Sequence, residues 1–116
     1  MRTLEKIYNA LKDCSLDRRT SKWTVGHVKF YNDAGSECCH FDVLSKCSQE
    51  KLGRCVFFMY THSTTGTIHI SFENTDGFAN IRPEISVPPS RYILPDNMLG
   101  RYFHLLVDKL YYMSNL

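Results

Sequence analysis

Nowhere in these 116 residues do eighteen apolar residues run together, so the sequence predicts no membrane-spanning helix. The opening segment MRTLEKIYNALKD sets charges among its apolar positions and lacks the continuous hydrophobic stretch of a secretory leader. There is no P-loop, no GxGxxG, no GxSxG elbow and no HExxH helix. The usual signatures of nucleotide binding, serine hydrolysis and zinc proteolysis are therefore missing, and the expectation is a protein that is not an enzyme. Charge of one sign is also missing. Fourteen Lys and Arg stand against twelve Asp and Glu, a net +2, far short of the dense basic patch of a dedicated nucleic-acid binder. Six Gly and four Pro leave no low-complexity tract or linker, and no repeat is visible, so residues 1–116 read as one domain.

What the chain does have is apolar and aromatic mass. Its hydrophobic fraction is 43%, with seven Phe, seven Tyr and one Trp. A domain of this size buries roughly two thirds of the surface that its unfolded chain exposes, enough to hold together without a disulfide. The five Cys (Cys14, Cys38, Cys39, Cys47 and Cys55) are an odd number, which with no leader predicts reduced thiols in the cytoplasm.

The stretch Arg54–Phe72 is what the rest must pack around. Val56 to Tyr60 is an unbroken apolar run, suited to a strand covered on both faces, whereas Ile68, Ile70 and Phe72 alternate with polar residues. With His62–Gly66 as the loop, the two predict a hairpin. Upstream, Leu4, Ile7, Tyr8 and Leu11 predict an amphipathic helix over residues 3–14, with Thr3 as its N-cap. Trp23 and Val25 lie on one strand parity and Val28 and Phe30 on the other. A bulge at Gly26–His27 would bring all four to one side. Asn32–Gly35 supplies a turn into a strand over Cys38–Leu44, with Cys39, Phe41 and Val43 inward. Ser45 to Leu52 reads as a short helix closed by Gly53. Phe78–Ile81 and Ile85–Val87 are short strand candidates. Asn97–Met113, after Pro95-Asp96, is a second strong helix with Leu99, Tyr102, Phe103, Leu106, Leu110 and Met113 as its stripe. The order α-β-β-α-β-β-(β)-α predicts an α+β fold, a four- to five-stranded mainly antiparallel sheet with the N- and C-terminal helices packed on it.

Cys38, Cys39, His40 and Cys47 are close in sequence, but structural zinc sites draw on paired thiolates spaced C-x₂₋₄-C. Adjacent Cys38 and Cys39 point to opposite faces of a strand, so no metal and no other cofactor is expected. His40, with Asp42 near it, and His69 read as solvated strand histidines rather than proton-transfer groups. Arg18, Arg19, Lys22, Lys29 and Tyr31, around Trp23, mix cations with aromatics as a single-stranded nucleic-acid site does. Three nearby aspartates and the value of Trp23 to a core weaken that reading, which stands second.

Opposite the core stripe of the last helix lie Met98, Leu105 and Tyr112, seven residues apart, with Arg101 and Asp108 between them. A helix with one buried face is polar on its other side, so a second apolar stripe implies a second neighbour. The intramolecular candidate is the N-terminal helix; the functional one is another chain, since Met, Tyr and Arg are enriched at interface cores. The first expectation for function is a cytoplasmic protein-binding domain that occupies a partner, as an inhibitor, an adaptor or a toxin-neutralising immunity protein does. Met98, Arg101, Leu105 and Tyr112 would carry the contact, to a different protein or to a second copy. Asp33, Glu37, Glu73 and Asp76 are acidic turn residues, read as ordinary solvated turn chemistry before contacts to a basic partner.

Overall fold

Leu4, Ile7, Tyr8 and Leu11 are buried along helix α1 (Thr3–Asp17) in a computed structural model, which describes residues 3–17, 21–59, 66–74 and 82–115. The helix runs past its expected end because Ser15 fits inside it. The Ser15 hydroxyl donates to the Lys12 carbonyl at 2.9 Å and meets Thr24 Oγ1 at 3.3 Å, so this polar group is buried at little cost. Thr3 is itself helical, the first described residue of α1, rather than a cap outside the helix. The backbone amide of Leu4 donates to Glu37 Oε1 at 3.2 Å, a carboxylate supplied by a strand.

Five strands follow among the described residues: β1 (Trp23–Asp33), β2 (Ser36–Ser45), β3 (Lys51–Met59), β4 (Ile68–Asn74) and β5 (Glu84–Val87). They form one antiparallel sheet in the order β1-β2-β3-β4-β5. The apolar run of β3 takes the central place, and β5 is the expected edge strand around Ile85–Val87. The β1–β2 register slips between Gly26 and Lys29, with His27 at φ 41°, which is the bulge that the parity change of Trp23 to Phe30 requires. Val28 and Phe30 accordingly pack against the same core as Trp23 and Val25. Ala34 and Gly35, both at positive φ, close the β1–β2 hairpin between Asp33 and Ser36, a twist that matches the strands they join.

The short helix expected over Ser45–Leu52 is not formed. Gln49 N bonds the Ser45 carbonyl at 2.9 Å, one helical turn, and Gln49 then adopts φ 62° and sends the chain into β3. Gly53 is therefore not a helix terminator. It is the residue of β3 that lets the Phe72 ring lie against the strand, where an added Cβ would sit 2.4 Å from two ring carbons. Without that helix, no described element covers the outer face of β3, and Val56 and Phe58 are half-buried there. The candidate strand Phe78–Ile81 and most of the loop His62–Gly66 lie outside the described residues.

Helix α2 (Asp96–Ser114) begins directly after Pro95 and lies beside α1 on one face of the sheet. Leu99, Phe103, Val107 and Leu110 are buried beneath it. A line of rings, Tyr8–Phe41–Phe57–Phe103, joins α1 to α2 through the inner face of the sheet at centroid distances of 5.4, 5.4 and 5.8 Å. Asn74 Nδ2 holds the far end of α2 by donating to Asn115 Oδ1 at 2.9 Å. The two helices touch at Gly100, where a Cβ would lie 2.4 Å from the Ala10 carbonyl oxygen. Gly to Ala inside a helix ordinarily stabilises by about 1 kcal/mol. Here the opposing atom is backbone and cannot swing away. Gly100→Ala is therefore expected to lower the urea-unfolding free energy by about 1–3 kcal/mol, the cost of overpacking a tight contact.

Candidate protein-docking face

Trp23 decides which way α2 faces. Its ring is 2% exposed and lies stacked on His104, with centroids 4.4 Å apart and planes 11° from parallel. The indole N–H donates to Asp108 Oδ1 at 2.6 Å. Ser21 completes the cluster: its hydroxyl donates to the Trp23 carbonyl at 2.7 Å and its oxygen lies 2.9 Å from His104 Nε2. With that hydroxyl proton committed, the geometry assigns the Nε2 proton to His104 as donor. His104 and Asp108 are one turn apart, so two bonds and a stacked ring pin α2 against rotation about its own axis.

That rotation turns Met98, Leu105 and Tyr112 outward. They are 51%, 58% and 65% exposed, and Arg101 between them is exposed as well. The N-terminal helix does not cover them, contrary to the intramolecular expectation. It meets α2 instead along the Gly100 side, which a close backbone approach selects. Half-buried Tyr102 and Leu106 extend the apolar band toward the sheet. Burying a side chain of this size completely is worth about 1.5–3 kcal/mol, so the band is a reservoir of association energy that the chain leaves unused. Arg101 has no ion-pair partner among the described residues. It also lines a groove of about 470 Å³ between α1 and α2, whose walls include Asp13, Cys14 and Asp17.

The basic and aromatic segment is dispersed. Arg18 and Arg19 lie outside the described residues. Lys22 and Lys29 are exposed and Tyr31 is half-buried, but Trp23 is core and offers no face to a base. Two of the acidic turn residues are engaged within the chain: Glu37 on the α1 amide, and Glu73 with Arg82 at 2.8 Å. Asp33 is exposed, and Asp76 lies outside the described residues.

The outer face of the sheet carries the histidines. His40 packs against Tyr31, and burial, followed by the Arg54 charge, lowers its pKa, which favours the neutral ring at pH 7. The Asp42 carboxylate faces Lys51 at 3.3 Å and Arg54 at 3.4 Å, two cations that compete for it. His69 Nδ1 lies 3.0 Å from the Ser86 hydroxyl across the β4–β5 pair. Cys39 and Cys55 point into the core, whereas Cys38, also buried, lies on the other side of β2 with its thiol 3.6 Å from the Ser36 carbonyl. Among the described residues, no three His, Cys, Asp or Glu side chains gather as metal donors. No described helix is long and apolar enough to cross a membrane.

His104, Gly100 and Asp108 are the positions that a reading of the apolar period passes over, since none is an apolar core type. A glycine in mid-helix was the one visible signal. Ile93, 75% exposed in the segment before α2, is a further exposed apolar side chain. No protein-family model, curated protein or solved structure matches this chain.

The buried thiols give a test of this interior. Burial first, then the Glu37 charge, pushes Cys39 up to about 12, and burial raises Cys55 further. An acid whose folded pKa is raised stabilises fully below its unfolded value of 9.0 and loses that contribution as pH rises toward the folded value. Above pH 9, each of these thiols is expected to lower the unfolding free energy by about 1.4 kcal/mol per pH unit. Cys39→Ala should remove one such slope in urea titrations at increasing pH, and a slope unchanged by that substitution would contradict the burial.

Proposed function

We propose that this chain is a protein-binding domain that acts by occupying a partner through the outer face of α2. The observation that carries this reading is the exposed stripe Met98, Leu105 and Tyr112, held outward by the Trp23–His104–Asp108 cluster. Buried apolar and aromatic anchors ringed by polar groups dominate binding energy at protein interfaces. Met98, Leu105 and Tyr112 supply such anchors here, and Arg101 supplies a directional pairing with a carboxylate. An inhibitor, an adaptor or a toxin-neutralising immunity protein of the cytoplasm would work in this way, by covering a surface rather than by catalysis. Contact with single-stranded nucleic acid through Lys22, Lys29 and Tyr31, with Arg18 and Arg19, is the second reading. Burial of Trp23 removes its main stacking platform.

The test is capture of partners from the native host by tagged protein, with and without nuclease, compared between wild type and Met98→Asp with Leu105→Asp. Both positions are exposed, so far-UV circular dichroism and Trp23 fluorescence should remain native. A protein captured in stoichiometric amount after nuclease, and lost at least tenfold with the double variant, is the expected result. Equal capture by both proteins would sink the α2 reading. Capture that vanishes with nuclease, and falls steeply with salt, would move the site to the basic segment.

A further inference from the structure

The exposed face of α2 is complementary to itself when a second copy is laid antiparallel across it. Leu105 is the centre of the stripe, with Met98 seven residues before it and Tyr112 seven after. Arg101 and Asp108 lie four before and three after, both on one flank, roughly 40–60° round the helix from Leu105. Tyr102 and Lys109 lie three before and four after, on the opposite flank at similar angles. A two-fold axis beside Leu105 keeps each flank on its own side while reversing its direction. The operation brings Leu105 against Leu105 of the partner subunit and Met98 against Tyr112 of the partner subunit. On one flank Arg101 meets Asp108 of the partner subunit; on the other, Tyr102 meets Lys109 of the partner subunit.

The antiparallel operation opposes the two helix dipoles and pairs the one guanidinium of this face with its one carboxylate. A parallel two-fold exchanges the flanks instead, setting Arg101 against Tyr102 of the partner subunit and Asp108 against Lys109 of the partner subunit. It also lays the two helix dipoles side by side in the same direction and gives Asp108 an ammonium in place of the guanidinium fork. Arg101 and Lys109 have no ion-pair partner among the described residues. Trp23 holds Asp108 through Oδ1, which leaves Oδ2 to receive a guanidinium from outside. We infer that the occupant of this face is a second copy of the chain, docked antiparallel about Leu105. The inference rests on the docking face proposed above and names its occupant. A different protein bound to the same stripe would then have to displace the second copy, so the two complexes exclude one another.

Cysteine cross-linking tests the pairing and its direction, in a Cys47→Ser background that removes the exposed native thiol. Under mild oxidation Leu105→Cys should form a covalent dimer with itself. Met98→Cys and Tyr112→Cys should cross-link poorly alone and strongly when mixed. Sedimentation equilibrium should show a concentration-dependent dimer, and Arg101→Glu should weaken it at least tenfold by facing a carboxylate with Asp108 of the partner subunit. If Met98→Cys and Tyr112→Cys each cross-link alone and gain nothing on mixing, the antiparallel arrangement is overturned. A chain that stays monomeric at every concentration overturns the second copy as occupant. The docking face itself survives that result if Leu105→Asp still abolishes capture of another protein. A dimer that persists unchanged in Met98→Asp with Leu105→Asp overturns the pairing, and the capture experiment on that variant then decides the docking face separately.

Discussion

The rotation of α2 about its own axis is the constraint on which the outer surface of this protein depends. An amphipathic helix on a sheet tolerates some roll, because apolar side chains slide over one another at small cost. Trp23 removes that freedom. Its ring stacks on His104 and its indole N–H reaches Asp108, so one side chain of β1 grips two positions a turn apart on α2. Gly100 against Ala10 sets the distance between the helices as Trp23 sets the angle. Together these contacts place Leu99, Phe103, Val107 and Leu110 inside and leave Met98, Leu105 and Tyr112 outside.

The sheet answers to the same economy. Its inner face is fully committed to the two helices through Phe41, Phe57, Ile70 and Phe72, all buried. Its outer face is a mixed surface, with Val56 and Phe58 half-buried among His40, His69, Ser71 and the Asp42–Arg54 pair. The apolar positions on that face are separated by polar and charged cross-strand neighbours, as in a sheet with one wetted side. The stripe on α2 has less relief of this kind. Three large apolar side chains stand more than half exposed along one line, and the groups between them are charged groups suited to pairing with another molecule.

Much of the fold was legible in the residue pattern because it follows from period and parity. Helical spacing marked α1 and α2, alternation marked β2 and β4, and the parity change between Val25 and Val28 announced the bulge at His27. The segment Ser45–Leu52 misled because a cap residue and a glycine at the right separation also describe a one-turn connection, which Gln49 ends at positive φ. Gly53 and Gly100 are required by side chains and backbone that meet them from far along the chain, which no local pattern encodes. Of the proposed docking face, the residues were visible as a second stripe on the last helix. Whether α1 would cover them was not, since that depends on the Trp23–His104–Asp108 cluster, whose members are 81 to 85 residues apart in the case of the tryptophan and the helix.

The measurement that bears most directly on the role of α2 is the urea midpoint followed across a wide range of protein concentration, with Trp23 fluorescence as the signal. Association of folded chains stabilises them by mass action, so a docked outer face must appear as a midpoint that rises with concentration. The expected result is such a rise for the wild-type chain and a midpoint independent of concentration for Leu105→Asp, the two agreeing at high dilution. A wild-type midpoint that stays constant and coincides with that of Leu105→Asp at every concentration would contradict the pairing of α2 with a second copy.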